Sequence, residues 1–228
     1  MREYKGWYVL DEESNDKIFR YFDLQIHRRG AIGIHNKYQR SHIEYLHKRF
    51  PEHWKNFSTQ SIIDCGANYG MFSVGFSTVF KTVHSFEMRS DVRECLRENT
   101  AQYDNIVVHD HGLSNTCAEL TRDNNTRTGS TKISSCGDIT ESFNTVDSIL
   151  IKDLGLLLLD TEGHEFDILQ GASGHIKLYQ PMIIAEISTA RSKDDSRWKI
   201  LDLMYDLDYR LIDVRHDDHH FIHKDKLP

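Results

Sequence analysis

Leu154-Gly155-Leu156-Leu157-Leu158-Leu159 is the longest apolar run in the chain, and it stops abruptly at Asp160-Thr161-Glu162-Gly163-His164-Glu165. A membrane span needs about 20 apolar residues, so this run is far too short to cross a bilayer. It also lacks the polar–apolar alternation of a strand with one wet face. It therefore reads as a strand covered on both sides, the central strand of a mostly parallel sheet, over Leu156–Asp160. A sheet of that kind needs further strands beside it and helices on both faces. The chain supplies both. Ser61–Asp64, Thr82–Glu87, Asn105–His109 and Met182–Glu186 read as strands. Tyr69–Phe80, Asp91–Gln102, Glu165–Tyr179 and Arg197–Leu207 read as helices between or after them. Tyr209–Val214 and His220–His223 form a terminal hairpin across Arg215-His216-Asp217-Asp218. The expected fold is α/β: a doubly wound, mostly parallel, seven-stranded Rossmann-like sheet.

The remaining segments lie outside that alternation. Gly6–Leu10 and Ile18–Phe22 are strand-like runs around the turn-rich Asp11–Asp16, and Lys37–Lys48 is a polar helix closed by Pro51. Residues 1–58 are read as an N-terminal extension and 59–228 as the ligand-binding domain. Leu113–Leu154 is irregular, with Ala118–Thr121 and Ser130–Ile133 expected to pair around Asn124-Asn125. The formal net charge of -7 argues against a nucleic-acid backbone as the main partner. From Gln25 to Phe57, however, seven basic residues stand against two acidic ones, alongside His27, His35, His42, His47 and His53. That stretch is either a solvated face or a patch for an anionic partner. Cys65, Cys95, Cys117 and Cys136 show neither a Cys-x-x-Cys pair nor zinc spacing and read as buried, reduced thiols. With a polar, mixed Met1–Leu10, the expectation is a soluble cytoplasmic protein without a membrane partner.

Asp64-Cys65-Gly66-Ala67-Asn68-Tyr69-Gly70 joins the first sheet strand to its helix. Gly66 permits a tight turn and Gly70 a close helix start. In such sheets a ligand sits beyond the carboxyl ends of the strands, where the strand order switches direction. Glu87 closes the next strand twenty-one residues after Gly66, a position suited to accepting hydrogen bonds from both hydroxyls of a ribose. A dinucleotide fingerprint would need glycine at positions 68 and 71, which here are Asn and Met. Asn68 would obstruct a pyrophosphate, and Asp64 would add negative charge beside it. S-adenosylmethionine has no phosphate and carries an amino group and a sulfonium, so this loop suits it better.

The polar set after the apolar run is the expected place of chemistry. A methyl transfer requires alignment of donor and acceptor and removal of the acceptor's proton. Asp160, Glu162, His164 and Glu165 are the candidate catalytic residues. Each has a plainer alternative. Asp160 can orient the cofactor, Glu162 can hold the loop through backbone amides, Glu165 can answer a helix dipole, and His164 can be a surface histidine. Glu186 can face the same cleft. Clustered carboxylates can also hold Mg²⁺ or Ca²⁺, although no metal is expected here.

Together, Ile62–Gly70, Ser85-Phe86-Glu87, Leu159–Glu165 with Leu169-Gln170-Gly171-Ala172, and Pro181–Glu186 resemble the FkbM-type methyltransferases. The resemblance implies a class I methyltransferase fold and O-methylation of a hydroxyl on a sugar, glycan or small natural product. It implies that Asp64, Gly66, Asn68 and Gly70, with Ala67 and Tyr69 in the same turn, line the methionine end of S-adenosylmethionine. It places the ribose at Glu87, the adenine near Met88, Asp110 and His111, and the acceptor near Asp160, Glu162 and Glu165, with Asp160 also touching the cofactor. Met88 stands where such proteins commonly carry proline. The first sixty residues and Thr116–Asn144 match no pattern of the group. Three other readings compete: a nicotinamide-dependent oxidoreductase, a catalytically silent binding module, and an RNA methyltransferase. Homo-oligomerisation is left open.

Overall fold

The computed structural model describes residues 2–4, 7–9, 37–122, 131, 133–187 and 196–227. The element order is β1 (Arg2–Tyr4), β2 (Trp7–Val9), α1 (Lys37–Arg49), α2 (Pro51–Phe57), β3 (Ser61–Cys65), α3 (Met71–Ser77), β4 (Thr82–Phe86), α4 (Ser90–Thr100) and β5 (Ile106–Val108). There follow β6 (Gly112–Leu113), β7 (Ala118–Arg122), β8 (Ile139–Asn144), β9 (Leu154–Leu159), α5 (Glu165–Gly171), α6 (Ser173–Tyr179), β10 (Met182–Glu186), α7 (Ser196–Asp206), β11 (Tyr209–Arg215) and β12 (Asp218–His223).

The main sheet has seven strands in the order β11-β12-β10-β9-β3-β4-β5. The pairs β10–β9, β9–β3, β3–β4 and β4–β5 are parallel, while β12 runs antiparallel to both β10 and β11. The fold is thus the doubly wound, mostly parallel sheet expected of a class I methyltransferase. All six residues of β9 are buried, and successive leucines serve opposite cores. Leu157 and Leu159 pack with Ile168, Ile176, Ile200 and Met204 from α5, α6 and α7. Leu156 and Leu158 pack on the other face with Leu46, Phe57 and Phe76 from α1, α2 and α3. A strand between two helix layers has no wet face, which is why its sequence is apolar without alternation. Because Leu46, Phe50 and Phe57 lie in that second cluster, the helices before residue 58 share the core of the sheet.

Several local expectations are corrected. Pro51 does end α1, but it also starts α2, since its fixed φ and missing N–H suit the first position of a helix. The expected helix Glu165–Tyr179 is two helices, broken at Ala172 (φ -109°, ψ 3°). There Gly171 passes so close to the Ser114 carbonyl that a Cβ would lie 2.1 Å from it. Asp147 caps α6 instead, accepting from the N–H groups of Gly174 and His175, each at 2.8 Å. Ser130 and Lys132 of the hairpin expected with Ala118–Thr121 lie outside the described residues; among the described residues β7 runs antiparallel to β8, a strand missed in the sequence, and Arg122 also forms a bridge with Ile133. With β6 these strands form a separate three-stranded sheet. The N-terminal strand expected at Gly6–Leu10 is β2, paired with β1, whereas the one expected at Ile18–Phe22 lies outside the described residues. Among the described residues no helix is long and apolar enough to cross a membrane.

Candidate active site at the carboxyl ends of the central strands

The chain leaves β3 toward β4 on one side and leaves β9 toward β10 on the other, so the ends of β3 and β9 flank the switch point of the sheet. The turn after β3 is bound at its sides. The N–H groups of Gly66 and Ala67 both donate to the Phe86 carbonyl, at 2.9 and 3.0 Å, and Asp160 N–H donates to the Cys65 carbonyl at 3.0 Å. Gly66 has φ +85°, and a Cβ there would stand 1.9 Å from the Asp160 carbonyl oxygen. Only glycine lets the two strand ends come this close. Gly70, at φ +91°, similarly admits Leu96 of α4, 2.6 Å from where its Cβ would be.

Glu87 is 8% exposed just beyond β4. Its carboxylate accepts from Asn68 N–H at 3.0 Å and from Arg89 N–H at 2.9 Å, while burial raises its pKa. Asn68 itself is held at φ +50°, and its side-chain oxygen is buried with no partner among the described residues. Asp64, expected to line the ligand, instead turns its carboxylate inward. It accepts from Ser73 Oγ at 2.5 Å, and Ser85 Oγ donates to Ser73 at 2.8 Å. Burial, with the charges of Asp160 and Glu87, pushes its pKa up to about 7. Ala67 and Tyr69 are buried, and the Tyr69 carbonyl accepts from Asn99 at 2.9 Å. On the expected adenine side the three residues differ. Met88 is half-buried and its carbonyl accepts from Arg93 at 3.0 Å. Asp110 is exposed and pairs with Arg97 on α4. His111 lies 5.7 Å from the Phe86 ring with its Nε2 buried and unpartnered.

Beyond β9, the expected catalytic residues separate. Asp160, Glu162 and Glu186 bring carboxylate oxygens within 4.8 Å of one another, a spacing that can also hold a hard cation. Burial, followed by the charge of the neighbouring Asp160, raises the Glu186 pKa to about 8. Asp218 lies opposite Glu186 in the β10–β12 register, and burial with the Asp160 charge raises its pKa to about 6. His42 of α1 approaches Asp218 at 3.8 Å. The sequence reading missed Asp218 and His42, because only the antiparallel return of β12 and the docking of α1 bring them here.

Glu165 is elsewhere: 3% exposed, one oxygen accepts from Thr161 N–H, Thr161 Oγ1 and Gly163 N–H, at 2.9, 2.9 and 3.1 Å. Loop-holding through backbone amides, the plainer alternative offered for Glu162, is a role that Glu165 performs. His164 contacts Ser114 Oγ through Nε2 at 3.0 Å and Asp167 through Nδ1 at 3.4 Å, edge-on to Phe143 of β8. Burial lowers its pKa. In the basic N-terminal stretch, Arg49 pairs with Asp213 of β11 and Lys55 with Glu52.

The methyltransferase FkbM domain matches residues 64–211. The chain belongs to the FkbM methyltransferase family. Among solved structures, a methyltransferase FkbM from Methylobacillus flagellatus KT superposes with a TM-score of 0.56 at 17% identity, covering 90% of this chain and 58% of that one. This FkbM chain thus spans just over half the length of that relative. The precorrin-8w decarboxylase of Methanobacterium thermoautotrophicum gives a TM-score of 0.48 at 12% identity, covering 85% of this chain and 92% of that one. The precorrin-6y C5,15-methyltransferase of Geobacter metallireducens GS-15 gives 0.43 at 11% identity, covering 75% and 85%. No curated protein matches the sequence.

Proposed function

We propose that this FkbM methyltransferase uses S-adenosylmethionine to methylate a hydroxyl of a glycan or small natural product. The observation that carries the reading is the cluster of Asp160, Glu162 and Glu186, whose carboxylate oxygens lie within 4.8 Å of one another at the carboxyl ends of the central strands. The turn fits the cofactor: Asn68 offers a buried acceptor without a partner, and Gly66 leaves space that a Cβ would fill. When bound, S-adenosylmethionine supplies an electrophilic methyl group on a sulfonium. Glu87 accepts from the ribose diol, Asn68 and the backbone of Gly66–Gly70 hold the methionine end, and Met88, Asp110 and His111 border the adenine. Burial and the Asp160 charge favour a proton on Glu186, which leaves the Asp160 carboxylate to accept the hydroxyl's proton as the oxygen becomes the nucleophile. Glu162 borders the acceptor, while Glu165 and His164 fix the loop that carries Asp160.

Calorimetric titration with S-adenosylhomocysteine tests the cofactor. The wild type is expected to bind, Glu87→Ala to bind at least about tenfold more weakly, and Asp160→Asn to bind normally but to turn over far more slowly than Glu165→Gln. A folded wild type that fails to bind overturns the reading. The acceptor is tested with radiolabelled methyl donor against glycan, small-hydroxyl and RNA panels. Label recovered only on nitrogen or carbon overturns the hydroxyl assignment, and label recovered only on RNA overturns the glycan or small-molecule acceptor.

A further inference from the structure

β4 and β5 close the end of the sheet away from the terminal hairpin, and β5 is its edge strand. His84 of β4 and His109, the residue after β5, both half-buried, face each other there. His84 Nδ1 stands 3.1 Å from His109 Nε2, with ring centroids 5.3 Å apart. Among the described residues each imidazole finds its side-chain hydrogen-bond partner in the other and in no carboxylate. The His109 ring lies flat on Phe86, 4.1 Å away at 8°, so packing fixes its plane. A third imidazole, His111, is edge-on to His109 at 5.7 Å.

This pair lies outside the carboxylate cluster and has no part in the methyl transfer derived above. We propose that His84 and His109 form a site for a borderline divalent transition metal, of the class of Zn²⁺, Ni²⁺ and Co²⁺, completed by water. Imidazole nitrogens are the ligands such ions prefer, whereas the carboxylates of Asp160, Glu162 and Glu186 suit Mg²⁺ or Ca²⁺. With metal–nitrogen bonds of about 2.0–2.1 Å, two nitrogens 3.1 Å apart subtend an angle of about 100° at the metal, between octahedral and tetrahedral values. Burial, with the neighbouring imidazoles as a lesser influence on His109, lowers both pKa values to about 4. Burial thus favours the neutral imidazole, the state that ligates. In the hydrogen bond one facing nitrogen carries a proton. When the cation enters, that proton is exchanged through water to the other nitrogen of the same ring, so at neutral pH the binding releases no net proton. The ion would staple β4 to the segment after β5 behind Phe86, whose carbonyl holds the Gly66 and Ala67 amides of the cofactor turn.

The test is titration of the full chain with Ni²⁺ and Zn²⁺, followed by calorimetry, and with Co²⁺, followed by its visible ligand-field bands. One chelator-reversible equivalent is expected, with a higher melting temperature when loaded. His84→Gln and His109→Gln are each expected to weaken binding at least tenfold while keeping the wild-type circular dichroism, and Glu186→Gln to retain it. Wild-type affinity in both histidine variants, loss in Glu186→Gln instead, or no saturable binding overturns the proposal. Should a variant misfold, long-range ¹H–¹⁵N spectra of the wild-type imidazoles decide it. Zn²⁺ must shift the His84 and His109 resonances together at one equivalent, and unmoved resonances overturn the site.

Discussion

Asp160, just after β9, and Glu165, the first residue of α5, stand five positions apart, and the fold gives them opposite surroundings. Glu165 is enclosed, and one of its oxygens takes two backbone N–H groups and a hydroxyl, all from the loop itself. Asp160 is exposed at the mouth of the cleft, and its charge raises the pKa of both Glu186 and Asp218. One carboxylate is surrounded by donors and the other by acids. The first arrangement rigidifies a loop, and the second raises the pKa of the neighbouring acids. An acidic motif read from sequence therefore contains two different devices, and the direction of the surrounding dipoles separates them.

The comparison breaks most visibly at Glu165. Glu165→Ala leaves the amides of Thr161 and Gly163 and the Thr161 hydroxyl without their acceptor in a buried place. The expected loss is about 2–4 kcal/mol of unfolding free energy, read from urea denaturation. Glu165→Gln keeps an acceptor oxygen and should lose about half as much or less. If Glu165→Ala unfolds like the wild type and only turnover falls, Glu165 belongs with the reacting carboxylates and the contrast is lost.

Glu186 tests the other member. Its pKa lies at about 8 in the folded chain against an ordinary 4.5, so between those values the folded protein holds a proton that the unfolded chain has released. The stabilisation tied to that proton is complete below 4.5 and is lost as pH rises toward 8. Asp64, raised to about 7, and Asp218, raised to about 6, act in the same sense. Below about pH 6.5 the histidines that burial lowers, among them His42, His84, His109 and His220, act in the opposite sense, so the wild-type urea midpoint should fall from about pH 7 to pH 8. In Glu186→Gln, which carries no titrating proton, the fall should be visibly shallower. An unchanged slope would mean that Glu186 is not the proton's holder.

How much of this was legible depends on how local the cause is. The five parallel strands, the terminal hairpin, Gly66, Glu87 and the acidic segment could be read in the sequence because each is encoded within a few residues: an apolar run, a turn, a carboxylate at a strand end. The partition of the acids was not legible. Glu165 acts as an anchor because Thr161 and Gly163 fold back onto it, and Glu162 at φ +61° and Gly163 at φ +112° are what bend the loop that far. Asp64 looked like a ligand residue, but the hydroxyls of Ser73 and Ser85, brought from α3 and β4, claim it. Asp218 and His42 come from the two ends of the chain and meet the site only through tertiary packing. β8 was missed for a related reason. Ile139–Asn144 alternates buried and exposed positions, but one of its buried positions is Glu141, so no apolar alternation marks it, and its pairing with β7 spans the intervening residues 123–138.

Asp147 supplies the smallest and sharpest test, since it shares the chemistry of Glu165 but not its burial. It accepts from Gly174 N–H and His175 N–H at 2.8 Å each and meets His175 Nδ1 at 3.0 Å, yet its side chain is 33% exposed. If enclosure is what makes Glu165 costly to remove, then Asp147→Ala should lose only about 1 kcal/mol, the usual worth of a helix cap, because water can reach the amides it leaves behind. Urea denaturation of the two alanine variants under one condition gives the answer. A loss at Asp147 as large as that at Glu165 would show that the count of donors governs these carboxylates. A ratio of two or more would show that burial does, and would extend the same rule to the unpartnered oxygen of Asn68, which also lies where water does not reach.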